Sequence, residues 1–130
     1  MRHLLSIALC ASLAVLTTTT LAGWQTQPTS KAVQTMAGIL LKLNHYASDA
    51  EKATLKGIVD DKASSEGERA VALALINLQH QVTAADRAKL DALAKDAKAP
   101  EALKTIASIL LTLNHTASDA EKEKLKKIAG

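Results

Sequence analysis

Three histidines recur at intervals of 35 residues in this chain of 130 residues: His45, His80 and His115. Zinc and copper both accept imidazole nitrogen as a ligand, and three histidines around one zinc ion leave a fourth position open. Ring nitrogens that share one ion must lie within about 3.5 Å of one another. The sequence therefore supports a metal-site hypothesis, for Zn²⁺ or Cu²⁺, that depends on whether the three segments come together.

A structural role for the same histidines is the alternative, and the sequence favours it. We predict each histidine in the last turn of a helix, on the face of that helix that carries its leucines, pointing partly inward. There the imidazole could bond a free carbonyl of the helix end, and Asp49 and Asp119 could hold the ring of the histidine four residues before. Duplicated segments repeat residues for structural reasons more often than they assemble a site.

The histidines belong to a longer internal repeat. The segment LNHYASDAEK at residues 43–52 returns at residues 113–122 as LNHTASDAEK, and LQHQVTAADR at residues 78–87 is a diverged copy between them. Residues 32–58 and 102–128 are identical at about two-thirds of their positions. Three tandem units of 35 residues are therefore predicted, at about 30–64, 65–99 and 100–130.

Capping signals divide each unit into two helices. Ser48 with Glu51, and Ser118 with Glu121, are capping boxes that start the second helices, and Thr83 with Asp86 is a weaker version. The first helices are predicted to begin near Ser30, near Ser65 with Glu68 as its box partner, and with Pro100 in a first turn. The predicted first helices cover 31–45, 66–80 and 101–115, and the second helices cover 49–60, 84–95 and 119–129.

Hydrophobic patterning predicts how these helices are layered. The first helices are apolar on several sides, whereas the second helices carry one narrow apolar stripe, so the first form an inner layer and the second an outer one. The fold class is all-α, with three helical hairpins forming a small repeat array or a compact bundle. Equivalent helices in an open array are at least 8 to 10 Å apart, so only a closed arrangement would bring the histidines together.

The N-terminal segment predicts export. Arg2 precedes an apolar run that is too short to span a membrane, and small residues up to Ala22 suit signal-peptide cleavage, so residues 1–22 are predicted to be a signal peptide. Residues 23–29 would be a flexible lead-in, and residues 30–130 a single domain without stable membrane insertion. Cys10, the chain's single cysteine, would leave with the signal peptide. The predicted location is periplasmic or secreted.

Composition and motifs argue against catalysis and nucleic-acid binding. Without Arg2, the chain has 15 basic and 13 acidic residues, too even a balance for a nucleic-acid partner. No serine lies in a nucleophile-elbow context and no glycine-rich phosphate loop is present. The first functional hypothesis is therefore a non-enzymatic, cofactor-free module that binds an unknown protein or peptide. The alternative is a periplasmic metal-binding protein that uses the three histidines.

Overall fold

The computed structural model describes residues 28–130 and confirms the all-α prediction. Six helices follow one another in three hairpins: α1 (Lys31–Lys42), α2 (Asp49–Asp60), α3 (Glu66–Asn77), α4 (Ala84–Lys95), α5 (Glu101–Thr112) and α6 (Asp119–Ala129). Within this part of the chain, no helix has both the length and the apolar character needed to cross a bilayer. The predicted signal peptide and most of the lead-in lie outside the described residues.

The second helix of each hairpin begins and ends where the sequence predicts. Ser48 accepts a hydrogen bond from the backbone N–H of Glu51, whose carboxylate accepts one from the Ser48 N–H in return. The same reciprocal pair starts α6 at Ser118. At α4 only half of the box forms, because the Asp86 carboxylate bonds the Thr83 hydroxyl and Asn77 instead.

The first helices end three residues earlier than predicted, and this is the main correction to the expected secondary structure. They stop at Lys42, Asn77 and Thr112 rather than at the histidines. In each hairpin the next residue is a leucine with ψ near 126°, which leaves the helical region and lets its side chain enter the core. Pro100 is the N-cap of α5 rather than a residue of its first turn, and it makes no side-chain capping bond.

The three hairpins close into a ring. The inner helices α1, α3 and α5 contact one another, while α2 packs chiefly on α3, α4 on α5, and α6 on α1. Each outer helix therefore packs more extensively on the inner helix of the next repeat than on that of its own. Because the α6–α1 contact joins the last repeat to the first, the closed arrangement is the observed one, with a pseudo-threefold axis along the inner helices.

Residues related by this pseudo-threefold axis fill the core in sets of three. Fully buried sets come from both layers: Met36, Val71 and Ile106; Leu40, Leu75 and Leu110; and, from the outer helices, Leu55, Leu90 and Leu125. A further buried set of alanines, at 37, 72 and 107, lets the inner helices approach closely. Removing one such leucine side chain would destabilise the fold by about 2 to 5 kcal/mol.

The two ends of the axis differ in character. At one end, which we call the N-terminal pole, lie the three starts of the inner helices (Ser30, Ser65 and Pro100) and the next equivalent set (Val33, Glu68 and Leu103). At the other end lie three exposed tripeptides, 44–46, 79–81 and 114–116, each with a histidine at its centre. We call these nine residues the histidine pole.

Candidate metal centre

The three repeated histidines converge at the histidine pole. Their ring centroids are 5.4 Å apart for His45 and His80, 5.2 Å for His45 and His115, and 5.0 Å for His80 and His115. One nitrogen from each ring can be chosen so that all three lie within 4.8 Å of one another. The sequence predicted this convergence only for a closed ring of repeats, and the ring is closed.

A cycle of backbone hydrogen bonds holds the three histidines around the axis. The N–H of His80 donates to the carbonyl of His45 at 3.4 Å, that of His115 to His80 at 3.5 Å, and that of His45 to His115 at 3.2 Å. Each repeat thus bonds the next, and the third bonds the first. The position of each Cα is set by the peptide groups of the other two repeats rather than by a single loop.

All three histidines adopt the left-handed backbone region, with φ of 76°, 78° and 70° in chain order. In the second repeat the backbone N–H of Gln81 donates to the carbonyl of Gln79, and in the third that of Thr116 donates to the carbonyl of Asn114. Each bond makes a γ-turn with a histidine at its centre. The γ-turn with positive φ is the rare and strained form. A non-glycine residue in such a conformation costs on the order of 1 kcal/mol or more.

Buried residues anchor both sides of each tripeptide. A leucine precedes it and a small apolar residue follows it, and all six are buried: Leu43 and Ala47, Leu78 and Val82, Leu113 and Ala117. The histidines themselves are exposed. The strained turns are therefore short bridges between fixed core positions, which restricts the histidine backbones while leaving the imidazole rings exposed to solvent.

The ring nitrogens bond polar groups of the pole itself. Nδ1 of His45 lies 2.8 Å from the side-chain oxygen of Asn44, and the Nδ1 atoms of His80 and His115 lie 3.1 Å apart. Because Asn44 accepts through its oxygen, it holds the Nδ1 proton of His45 and leaves Nε2 of that ring as the ligand atom. Between His80 and His115, one of the two Nδ1 atoms carries the proton of the hydrogen bond, and a bound metal ion would displace that proton.

This geometry corrects two expectations about the histidines. They lie beyond the helix ends and are exposed, rather than in a last turn with the ring pointing inward. Among the described residues, the ring of His45 bonds Asn44 and not Asp49, and no ring bonds a helix carbonyl. Asn44 was not among the predicted site residues, although an asparagine directly precedes the histidine in two of the three repeats and could have indicated it.

The distances are close to those of a coordinated ion. Two nitrogens bound to one zinc ion at tetrahedral angles lie about 3.3 to 3.4 Å apart, so the Nδ1 atoms of His80 and His115 are already near that separation. Three nitrogens that lie within 4.8 Å of one another would have to approach by up to about 1.5 Å to share one ion. Rotation of exposed imidazole rings supplies a movement of that size without a change in the backbone.

Comparison of the chain with protein-family models, with curated protein sequences and with solved structures finds no match in any of the three.

Proposed function

We propose that this chain is an exported metal-binding protein that holds a Zn²⁺ or Cu²⁺ ion through His45, His80 and His115. The observation that carries the proposal is the convergence of three imidazoles, one from each repeat, with ring nitrogens within 4.8 Å of one another. Export is proposed from the sequence of residues 1–22. Three neutral imidazoles are a suitable ligand set for either ion and leave at least one coordination position open.

The backbone conformation adds support that is independent of the distances. Glycine, or less readily asparagine, adopts a φ near 75° with the least strain, yet all three repeats have a histidine at this position. Strained residues of this kind persist where the surrounding structure enforces them, and they are concentrated at functional sites. A purely structural turn would not require the same imidazole three times, because the cycle of hydrogen bonds uses backbone atoms only.

A calorimetric titration of the purified protein with Zn²⁺ or Cu²⁺ tests the proposal. We expect saturable binding that is lost when the three histidines are replaced together by alanine. The matched control is Gln81→Ala, which alters an exposed side chain of the same pole and leaves all three ligands in place. Equal binding by the wild type and the triple variant, or no binding of either ion by the wild type, would refute the proposal.

The hypothesis of a protein- or peptide-binding module stays a prediction. Its support is the general tendency of small helical arrays to bind partners. The metal-binding proposal takes precedence because it rests on specific atoms. The absence of catalysis also stays a prediction, and the metal titration does not address it.

A further inference from the structure

A metal ion at the histidine pole would be only half surrounded by the chain. All three imidazoles belong to the same end of the pseudo-threefold axis, and all three are exposed. An ion bound in this way has its free coordination positions on the opposite side, facing solvent. Whatever completes the coordination must therefore approach the pole from outside along the same axis.

The histidine pole contains no aspartate, glutamate, lysine or arginine. Its nine residues are Asn44, His45, Tyr46, Gln79, His80, Gln81, Asn114, His115 and Thr116, all of them exposed. Charged residues make up 22% of the chain, so about two would be expected among nine exposed positions. The pole thus supplies no carboxylate as a fourth ligand. It also presents no lysine, arginine, aspartate or glutamate whose charge would repel an identical surface.

From this geometry we infer that the histidine pole is a docking surface for a second copy of this chain, joined to the first through one shared six-coordinate ion such as Ni²⁺, which imidazole also binds. The inference rests on the proposed metal site. Three ligands on one face of an octahedral ion leave three positions on the opposite face, and a second histidine pole, rotated by about 60° about the common axis, supplies the three nitrogens that fill them. No other ligand is needed.

The bulkiest side chain of the pole, Tyr46, contacts an outer helix. Tyr46 is 62% exposed, but Nζ of Lys52 lies 5.8 Å from the centroid of its ring, over the ring. Since Lys52 belongs to α2, this contact places the tyrosine ring beside the outer helix of its own hairpin. The other two residues that follow a histidine, Gln81 and Thr116, are smaller and polar, and they can form hydrogen bonds across a pair of poles.

The test uses Ni²⁺, an ion that accepts six nitrogen ligands, and Zn²⁺, which takes four as a rule. Sedimentation velocity of the full chain is measured as each ion is added. With Ni²⁺ we expect dimers that reach a maximum at one ion per two chains and dissociate again in excess Ni²⁺, when each chain takes its own ion. With Zn²⁺ we expect one ion per chain, and monomers.

The outcomes separate this inference from the proposed function. Monomers that bind one Ni²⁺ per chain at every ratio would overturn the inference and leave the metal site standing. Failure to bind either ion would overturn both. Dimers that form equally well in the presence of a chelator would show an interface that does not use the metal, and would also overturn the inference.

A pair of charge variants tests the docking surface without removing a ligand. Gln81→Lys combined with Thr116→Lys places two positive charges on each pole, and these charges meet when two poles approach. The matched control is Ala53→Lys combined with Ala88→Lys, at exposed, repeat-equivalent positions of α2 and α4. We expect the pole variant to bind Ni²⁺ as a monomer, one ion per chain, while the control dimerises like the wild type. Dimerisation of both variants would contradict the inference.

Discussion

The two poles of the molecule differ in whether the residues nearest the pseudo-threefold axis are identical in the three repeats. At the histidine pole the residue nearest the axis is the same in all three repeats, although its backbone conformation is strained. At the N-terminal pole the equivalent residues are Val33, Glu68 and Leu103, three different side chains that are all buried. The closed ring therefore does not by itself require identical residues at its axis.

The N-terminal pole shows how a single repeat can change while the ring stays closed. The carboxylate of Glu68 accepts hydrogen bonds from the Ser30 hydroxyl and from the backbone N–H of Ser65, and so links the starts of two inner helices. Val33 and Leu103 fill the corresponding volume by packing alone. Packing and hydrogen bonding are thus interchangeable at this pole, whereas a metal ion on the axis needs a ligand side chain from each repeat.

The largest expected effect concerns metal at the histidine pole. Because the ion would join residues of all three repeats, and the unfolded chain lacks the site, binding should stabilise the fold. At a free Zn²⁺ concentration of 100 times the Kd, the gain is about 2.7 kcal/mol. Thermal unfolding followed by circular dichroism should then show a rise in Tm of about 10 to 20 °C for a domain of this size.

The control for this effect is the variant with alanine in place of all three histidines. Its Tm should be the same with Zn²⁺ as with a chelator. If Zn²⁺ raises its Tm as much as that of the wild type, the stabilising ion binds elsewhere in the chain, and the contrast between the two poles loses its chemical basis.

A smaller effect is expected at the N-terminal pole, from Glu68→Ala. The change removes a buried carboxylate and leaves the Ser65 N–H without its partner, so we expect a loss of about 2 kcal/mol in the free energy of unfolding. The matched control is Glu51→Ala, which removes the same capping-box residue from α2, where its hydrogen bonds are exposed. That control should lose no more than about 1 kcal/mol in a urea titration. Equal losses would show that the N-terminal pole adds nothing to an ordinary helix cap.

The contribution of Glu68 should also depend on pH. Burial acts to raise the pKa of Glu68, but hydrogen bonds from Ser30 and Ser65 outweigh it, so the folded-state pKa lies below the ordinary value of 4.5. A lowered folded-state pKa means that the carboxylate stabilises the fold above the unfolded-state pKa, and that this is lost as the pH falls through the folded value. The difference in stability between the wild type and Glu68→Gln should therefore be constant above about pH 5 and shrink below it.

The fold was predictable from the sequence because its signals are local and repeated. Capping residues such as Ser48 and Ser118 fixed the starts of the outer helices, and the 35-residue period fixed the number of hairpins. The ends of the inner helices were not predictable in the same way. Leucine is a strong helix former and does not mark a helix end, yet Leu43 and its equivalents leave the helical conformation and are buried in the core.

The histidines of the candidate site could be identified from the sequence, but their arrangement could not. Whether the repeats form an open row or a closed ring depends on the contact between α6 and α1, which joins residues about 90 positions apart and leaves no local pattern. The left-handed conformation of the histidines was also hidden, since glycine is the usual sign of such a position. Both features follow from the closure of the ring.

The smallest expected effect tests the strain at the histidine pole directly, by comparing His80→Gly with His80→Ala in the absence of metal. Alanine must hold the same φ of 78° at a cost on the order of 1 kcal/mol, whereas glycine adopts it without strain but loses more backbone entropy on folding. These terms partly cancel, so the glycine variant should be the more stable of the two by up to about 1 kcal/mol in chemical denaturation. In an ordinary helix the order would be reversed, because glycine is the poorer helix former there. A more stable alanine variant would therefore mean that the turn around His80 is not strained, and it would remove the argument that histidine is kept at this pole despite its conformation.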